Sequence, residues 1–262
     1  MENYNFNVEK VTKDCIQWIR DWFEKNGKGC NAIIGISGGK DSTLVAKLCV
    51  EALGADRVIG VSLPDRNQGL NDADKICEHL GIRYIIANIG PACDGIRNIS
   101  VVDNGEAMSG MWTVQAQQNL PARIRMTMLY AIAQTYNGRV ANTCNLSEDY
   151  VGYATLYGDS AGSFAPLSKL TVTEIYQMGD YLELPYEWAH KTPDDGLPQS
   201  SPDEVKFGFT YAELDKYIRE GIKPIGKCSN SDEYKFDKIK RMYENNKFKT
   251  EIIQIPCFKP VF

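Results

Sequence analysis

The segment Gly35-Ile36-Ser37-Gly38-Gly39-Lys40-Asp41-Ser42 places adjacent glycines, two hydroxyls, a lysine and a carboxylate in one short stretch. Glycines lack a Cβ, so backbone amides there can approach an anion closely. A helix beginning near Ser42 aims its unpaired N–H groups and the positive end of its dipole at the same place. Ser37 and Ser42 add hydroxyl donors, and the whole suits a phosphate or pyrophosphate. Asp41 would repel a bare phosphate, so its presence predicts a magnesium ion bridging the carboxylate to the phosphates. Spacing excludes two commoner phosphate motifs. The Walker loop needs Ser or Thr directly after Gly-Lys, whereas Asp41 follows Lys40, and no G-x-G-x-x-G fingerprint exists.

Other chemistry is poorly represented. The chain has only two histidines, His79 and His190, and its eight cysteines (15, 30, 49, 77, 93, 144, 228 and 257) include no CxxC pair. A zinc cluster or dithiol redox centre is therefore not expected. Scattered thiols read as reduced, mostly buried residues of a cytoplasmic protein. No secretory signal or apolar run long enough to span a membrane is present. The net charge of −5 argues against a surface built to wrap nucleic acid.

The elements that must position the loop follow from periodicity. Val8, Val11, Cys15, Trp18, Ile19, Trp22 and Phe23 recur at intervals of three and four, predicting an N-terminal helix with both tryptophans in the core. Ala32 to Ile36 reads as a strand buried on both faces. A helix from Ser42 to Leu53, a strand over 57–63, a helix over 71–80 and a strand over 83–89 follow. A helix from about Leu120 to Tyr136 then leads into a strand over 139–143. This alternation predicts an α/β fold, a Rossmann-like parallel sheet with helices on both faces. The loops after the strands share one edge, where ligands of such sheets bind. Beyond Glu148, Thr171-x-x-Glu174 and Thr210-x-x-Glu213 have capping-box spacing and predict two helix starts. Residues 191–203, with three prolines, read as a loop long enough for a lid or a dimer contact. Residues 1–262 are expected to form a single domain.

Ser-Gly-Gly-x-Asp-Ser resembles the pyrophosphatase loop of enzymes that split ATP to AMP and pyrophosphate. From about Ala32 to Arg219 the chain is similar to ammonia-dependent NAD synthetases. The resemblance rests on the loop, Ser62-Leu63-Pro64, Gln68, Asp72-Ala73, Asn119 to Arg125, Thr143 with Glu148, Gly152 to Asp159, Pro166-Leu167 and Asp203 to Tyr211. It implies an adenine nucleotide alpha-hydrolase-like fold. It also implies that the carboxylate of nicotinic acid adenine dinucleotide attacks the α-phosphate of ATP. Ammonia then converts the acyl-adenylate to NAD and AMP.

By the same resemblance, Gly35, Ile36, Ser37, Gly38, Gly39, Lys40, Asp41, Ser42, Ser62, Leu63 and Thr143 bind ATP. Asp41, Ser37 and Ser42 serve catalysis, and Asp41 and Glu148 hold Mg2+. Arg123, Asp159, Ser163, Lys169 and Asp194 face the acceptor. Departures gather on that acceptor side. Leu156 and Val172 stand where the family usually has lysine, and Ser163 where it has aspartate. Lys169 is a substitute for the second lysine, and Asp194 replaces a small hydroxyl residue. Lys247 and Lys249 are candidates for a missing C-terminal His-Lys pair. His190 lies beside the loop over 191–203. The family implies a homodimer. Only 36 residues precede Ser37, too few for a fused glutaminase domain, so free ammonia or a separate glutaminase is the expected source. A ligase of the same loop family acting on another carboxylate, and a nucleotide-binding paralogue without turnover, are the alternatives.

Overall fold

The computed structural model describes residues 4–66, 72–104, 106–108, 112–191, 202–223, 235–252 and 254–262. The first half runs α1 (Val8–Asn26), β1 (Asn31–Gly35), α2 (Lys40–Leu53), β2 (Val58–Ser62), α3 (Ala73–His79), β3 (Arg83–Ile86), α4 (Gly90–Arg97), β4 (Val101–Asp103) and β5 (Glu106–Met108). Next come α5 (Val114–Thr135), β6 (Gly138–Val140), α6 (Leu146–Val151), α7 (Val172–Tyr181) and α8 (Tyr186–Ala189). Then follow α9 (Asp203–Phe207), α10 (Tyr211–Glu220), α11 (Lys235–Asn246) and α12 (Phe248–Ile252).

Four strands form a parallel sheet in the order β3-β2-β1-β6. Alternation along β1 sends Ala32 and Ile34 into one apolar cluster and Ile33 into another. The first cluster gathers Cys15, Ile19 and Phe23 of α1, Leu44 and Leu48 of α2, and Ile175 and Met178 of α7. The second holds Ile59, Val61, Ile89, Cys93, Ile132 and Ala133. Both faces of β1 and β2 are therefore covered, which is why these strands read as unbroken apolar runs. Each fully buried Ile or Leu contributes about 1.5–3 kcal/mol. A side chain at Gly60 would run into Cys77 Sγ, so this glycine lets α3 lie directly on β2.

The chain moves outward from β1 to β3 and then returns to the other side of β1 at β6. This reversal opens a crevice beyond the carboxyl ends of β1 and β6, the usual ligand position in such sheets. Beyond β6 the sheet is prolonged by single bridges, Ala141 with Phe164 and Ala165 with Cys257.

Several expected boundaries move. Helix α2 begins at Lys40 rather than Ser42, because extended Gly39 is its N-cap. Helix α5 begins at Val114 rather than near Leu120, since Thr113 Oγ1 accepts the Ala116 amide and Pro121 lies inside the helix. The β4–β5 hairpin and helices α4, α6, α8 and α9 to α12 are additions, apart from the predicted start of α10. Trp18 and Trp22 do pack against the core, with Trp22 stacked on Phe164 at 5.0 Å. Cys15, Cys30, Cys49, Cys77, Cys93 and Cys144 are buried single thiols, and Cys228 lies outside the described residues. No helix among the described residues is long and apolar enough to cross a membrane.

Candidate active site

The chain leaves β1 still tied to the sheet, with the Ile36 amide donating to Val61 O at 2.9 Å. It then turns sharply. Gly38 has φ +79°, a left-handed conformation that side chains resist, and Gly39 caps α2. Within the turn, Gly39 N–H donates to Ser37 Oγ at 3.2 Å and Ser37 N–H to Ser42 Oγ at 3.3 Å. The two hydroxyl oxygens are 3.1 Å apart, and Ser42 Oγ donates to Gly39 O at 3.2 Å. Amides and hydroxyls thus converge on the N-terminus of a helix of 14 residues. An anion arriving there exchanges these short-range bonds for its own oxygens, with the helix dipole behind them.

Charge is concentrated one step along the helix. Lys40 is 3% exposed, and its Nζ lies 2.7 Å from Asp41 Oδ2. The second Asp41 oxygen accepts Asn145 Nδ2 at 3.1 Å. Asn145 also caps α6, accepting the Glu148 amide at 3.0 Å, while Glu148 Oε2 receives the Asn145 amide in a reciprocal capping box. One side chain therefore fixes the loop carboxylate and the helix that carries Glu148. Burial and the neighbouring Asp41 push the Glu148 carboxyl up to about 8. For Lys40, burial alone would lower the pKa, but Asp41 and Glu148 outweigh it and hold the ammonium above its ordinary range. Tyr211 places its ring 5.9 Å from Lys40 Nζ, and Tyr176 lies within electrostatic reach of Lys40 and Asp41. Asp41 and Glu148 fit a divalent cation. Both offer the hard oxygen donors that such an ion prefers.

Helix α7, which carries Tyr176, is tied down from three sides. Ser147 Oγ accepts the Val172 amide and Asp215 Oδ2 the Thr173 amide. Fully buried Glu174 receives Arg219 through two bonds of 2.6 and 2.7 Å and the Tyr4 hydroxyl at 2.5 Å.

Ser62 ends β2 and Leu63 follows it, both are buried, and Leu63 O accepts Arg125 Nε at 2.9 Å. Thr143 follows β6 on the same edge as the loop, three residues past Val140. Arg123 is exposed on α5 and donates through Nε to Leu156 O at 3.2 Å. Asp159 Oδ1 accepts the Thr155 amide at 2.7 Å, and Asp159 O receives Asn142 Nδ2 at 3.0 Å. Lys169 is exposed and faces Asp149, whose carboxyl burial raises to about 7 against the pull of this lysine. The Ser163 amide donates to Val140 O, and the residue lines a cavity of about 250 Å³ with Tyr130, Gln134 and Arg139. Val172 is fully buried. Asp194 and Gln68 lie outside the described residues, as does most of the loop over 191–203.

Of the C-terminal lysines, Lys249 reaches Gly152 O and Ala154 O at 2.7 and 3.1 Å, whereas Lys247 pairs with Glu244 on the surface. His190 stacks on Tyr176 and Tyr186 and bonds Asp180. Sequence reasoning passed over Asn145, Tyr176 and Tyr211. Asn145-x-x-Glu148 has the same spacing as the two Thr-x-x-Glu boxes, and that signal was available.

Comparison with known proteins gives the family. A family model described as NAD synthase matches residues 11–253. The NH(3)-dependent NAD(+) synthetase of Archaeoglobus fulgidus is 35% identical over 250 residues, covering 94% of this chain and 96% of that one. Among solved structures, an NMN synthetase from Francisella tularensis superimposes with a TM-score of 0.80 at 28% identity, covering 97% of this chain and all of that one. An NH3-dependent NAD synthetase from Campylobacter jejuni, in complex with the nitrate ion, gives a TM-score of 0.71 at 29% identity over 95% and 99% of the two chains. A parallel sheet with this loop at its reversal point, and a match reaching across nearly the whole length, have one reading: the chain belongs to the NAD synthase family.

Proposed function

We propose that this protein amidates nicotinic acid adenine dinucleotide to NAD with ATP and ammonia, through an acyl-adenylate, releasing AMP and pyrophosphate. The observation that carries the reading is the convergence of the Ser37–Ser42 turn, Asp41 and Glu148 on one sheet edge. A carboxylate is a poor acylating agent. Joining it to AMP creates a leaving group that ammonia can displace, so the protein's task is positioning and charge neutralisation.

In this reading the Gly38 and Gly39 amides, with the Ser37 and Ser42 hydroxyls, grip the β- and γ-phosphates. They hold the departing pyrophosphate in line with the attacking carboxylate. Asp41 and Glu148 would hold Mg2+, which when bound neutralises charge on the phosphates. Asn145 keeps Asp41 turned toward that position. Ser62, Leu63 and Thr143, at the ends of β2 and β6, border the adenylate. Arg123, Asp159 and Lys169 face the acceptor, with Ser163 and Asp194 as further acceptor-side residues. We assign the reaction to one domain over 1–262, acting as a cytoplasmic homodimer on free ammonia or ammonia from a separate glutaminase. The buried single thiols support a reducing compartment.

A second reading shares the chemistry but shortens the acceptor: amidation of nicotinic acid mononucleotide to NMN. It is favoured by the higher TM-score with the NMN synthetase, 0.80 against 0.71. Leu156 and buried Val172, in place of lysines, also remove two charges a second phosphate would use. The purified protein incubated with ATP, magnesium, ammonia and each acceptor in turn separates the two. NAD and AMP in equal amounts, with the dinucleotide preferred in kcat/KM, support the first reading. Preference for the mononucleotide moves the assignment to the second, and ATP binding without AMP from either acceptor overturns both.

A further inference from the structure

Lysine in the first turn of a helix is normally solvent-facing, because its charge opposes the dipole and its stem is long enough to escape. Lys40 does the reverse. It is the first residue of α2, yet it is 3% exposed. Its ammonium lies 2.7 Å from Asp41 Oδ2, beneath the Tyr211 ring. Burying an ammonium is strongly unfavourable unless opposite charge surrounds it. That charge is supplied by Asp41, one of the two carboxylates assigned above to the metal. Asn145 holds them in register by bonding the Asp41 side chain and capping the helix of Glu148.

We infer that the Lys40 ammonium is the resident counter-ion of Asp41 and competes with a divalent cation for its carboxylate. With the Asp41 carboxylate neutralised by an ammonium 2.7 Å away, little attraction is left for a free metal ion. The ammonium, in contact with Asp41 Oδ2, would also repel a cation held by that carboxylate. Entering phosphates give Lys40 a new anionic partner, and the released carboxylate can then take the metal. Divalent binding is thus made conditional on nucleotide, by a residue adjacent in sequence to the carboxylate it guards.

The inference rests on the assignment of Asp41 and Glu148 to the metal. That assignment has its own readout in AMP release by Asp41→Asn, so failure of one is distinguishable from failure of the other. The test is Mn2+ binding to nucleotide-free protein, followed by the electron paramagnetic resonance signal of the free ion. Lys40→Met is expected to bind Mn2+ at least about tenfold more tightly than wild type, from the repulsion removed. Lys40→Arg, which keeps the charge, should bind as weakly as wild type. The gain in Lys40→Met should vanish when Asp41→Asn is added. Equal Mn2+ affinity in wild type and Lys40→Met overturns the inference. Should Lys40→Met not fold, the wild-type protein decides alone: tight Mn2+ binding without nucleotide overturns it, and weak binding supports it.

Discussion

The turn from Ser37 to Ser42 and the acceptor-side stretch from Gly152 to Asp159 are held in place by different means. The turn hangs between a central strand and a helix, and its own amides and hydroxyls fix its shape. The acceptor-side stretch is pinned by side chains from distant parts of the chain. Arg123 bonds Leu156 O, Asn142 bonds Asp159 O, and Lys249 bonds Gly152 O and Ala154 O. In the proposed reading, phosphate recognition therefore resides largely in main-chain geometry that few substitutions can alter. In the proposed reading, acceptor recognition resides in replaceable side chains, and Leu156, where the family usually has lysine, lies within that stretch.

The contrast yields graded expectations. Asp41→Asn removes a charge but little volume, and is expected to lower AMP release about 10²–10³-fold, with an unchanged circular dichroism spectrum. Full activity in that variant would remove the metal role of Asp41. Gly38→Val forces a β-branched residue to φ +79°, costing about 1–2 kcal/mol in strain and crowding the phosphates. The KM for ATP should rise roughly tenfold while the KM for the acceptor holds, in initial-rate kinetics. Asn145→Ala deletes a helix cap worth about 1 kcal/mol, lowering Tm by about 2–4 °C in a thermal melt. It should also reduce kcat by releasing Asp41, and a loss of Tm with full kcat would confine Asn145 to capping. Lys249→Met loosens the acceptor-side stretch alone. A several-fold rise in acceptor KM with ATP KM unchanged is expected, and the opposite pattern would show that the two regions are not independent.

Much of this could be read before any coordinates. The apolar runs of β1 and β2 are unbroken because both faces are covered, and that pattern points directly to a sheet between two helical layers. The boxes at Thr171 and Thr210 place the starts of α7 and α10. The hairpin of β4 and β5 escaped notice because three-residue strands are too short to show alternation. Helix α5 begins well before Leu120 because its cap is Thr113, upstream of Pro121. At the site, the loop announced itself through local residue types. The roles of Asn145 and Tyr211 did not, since their partners lie 104 residues away at Asp41 and across the fold at Lys40. Val172 illustrates the same limit, because its burial at the start of α7 depends on the cluster formed with Phe207, Phe209 and Leu214.

The double duty of Asn145 has a consequence for how the protein reports on itself. A cap that also steadies Asp41 couples fraying of α6 to the state of the nucleotide cleft. The Glu148 amide, bonded to Asn145 Oδ1, should therefore exchange with deuterium more slowly as the cleft fills, giving a label-free gauge of occupancy that works even when no turnover occurs.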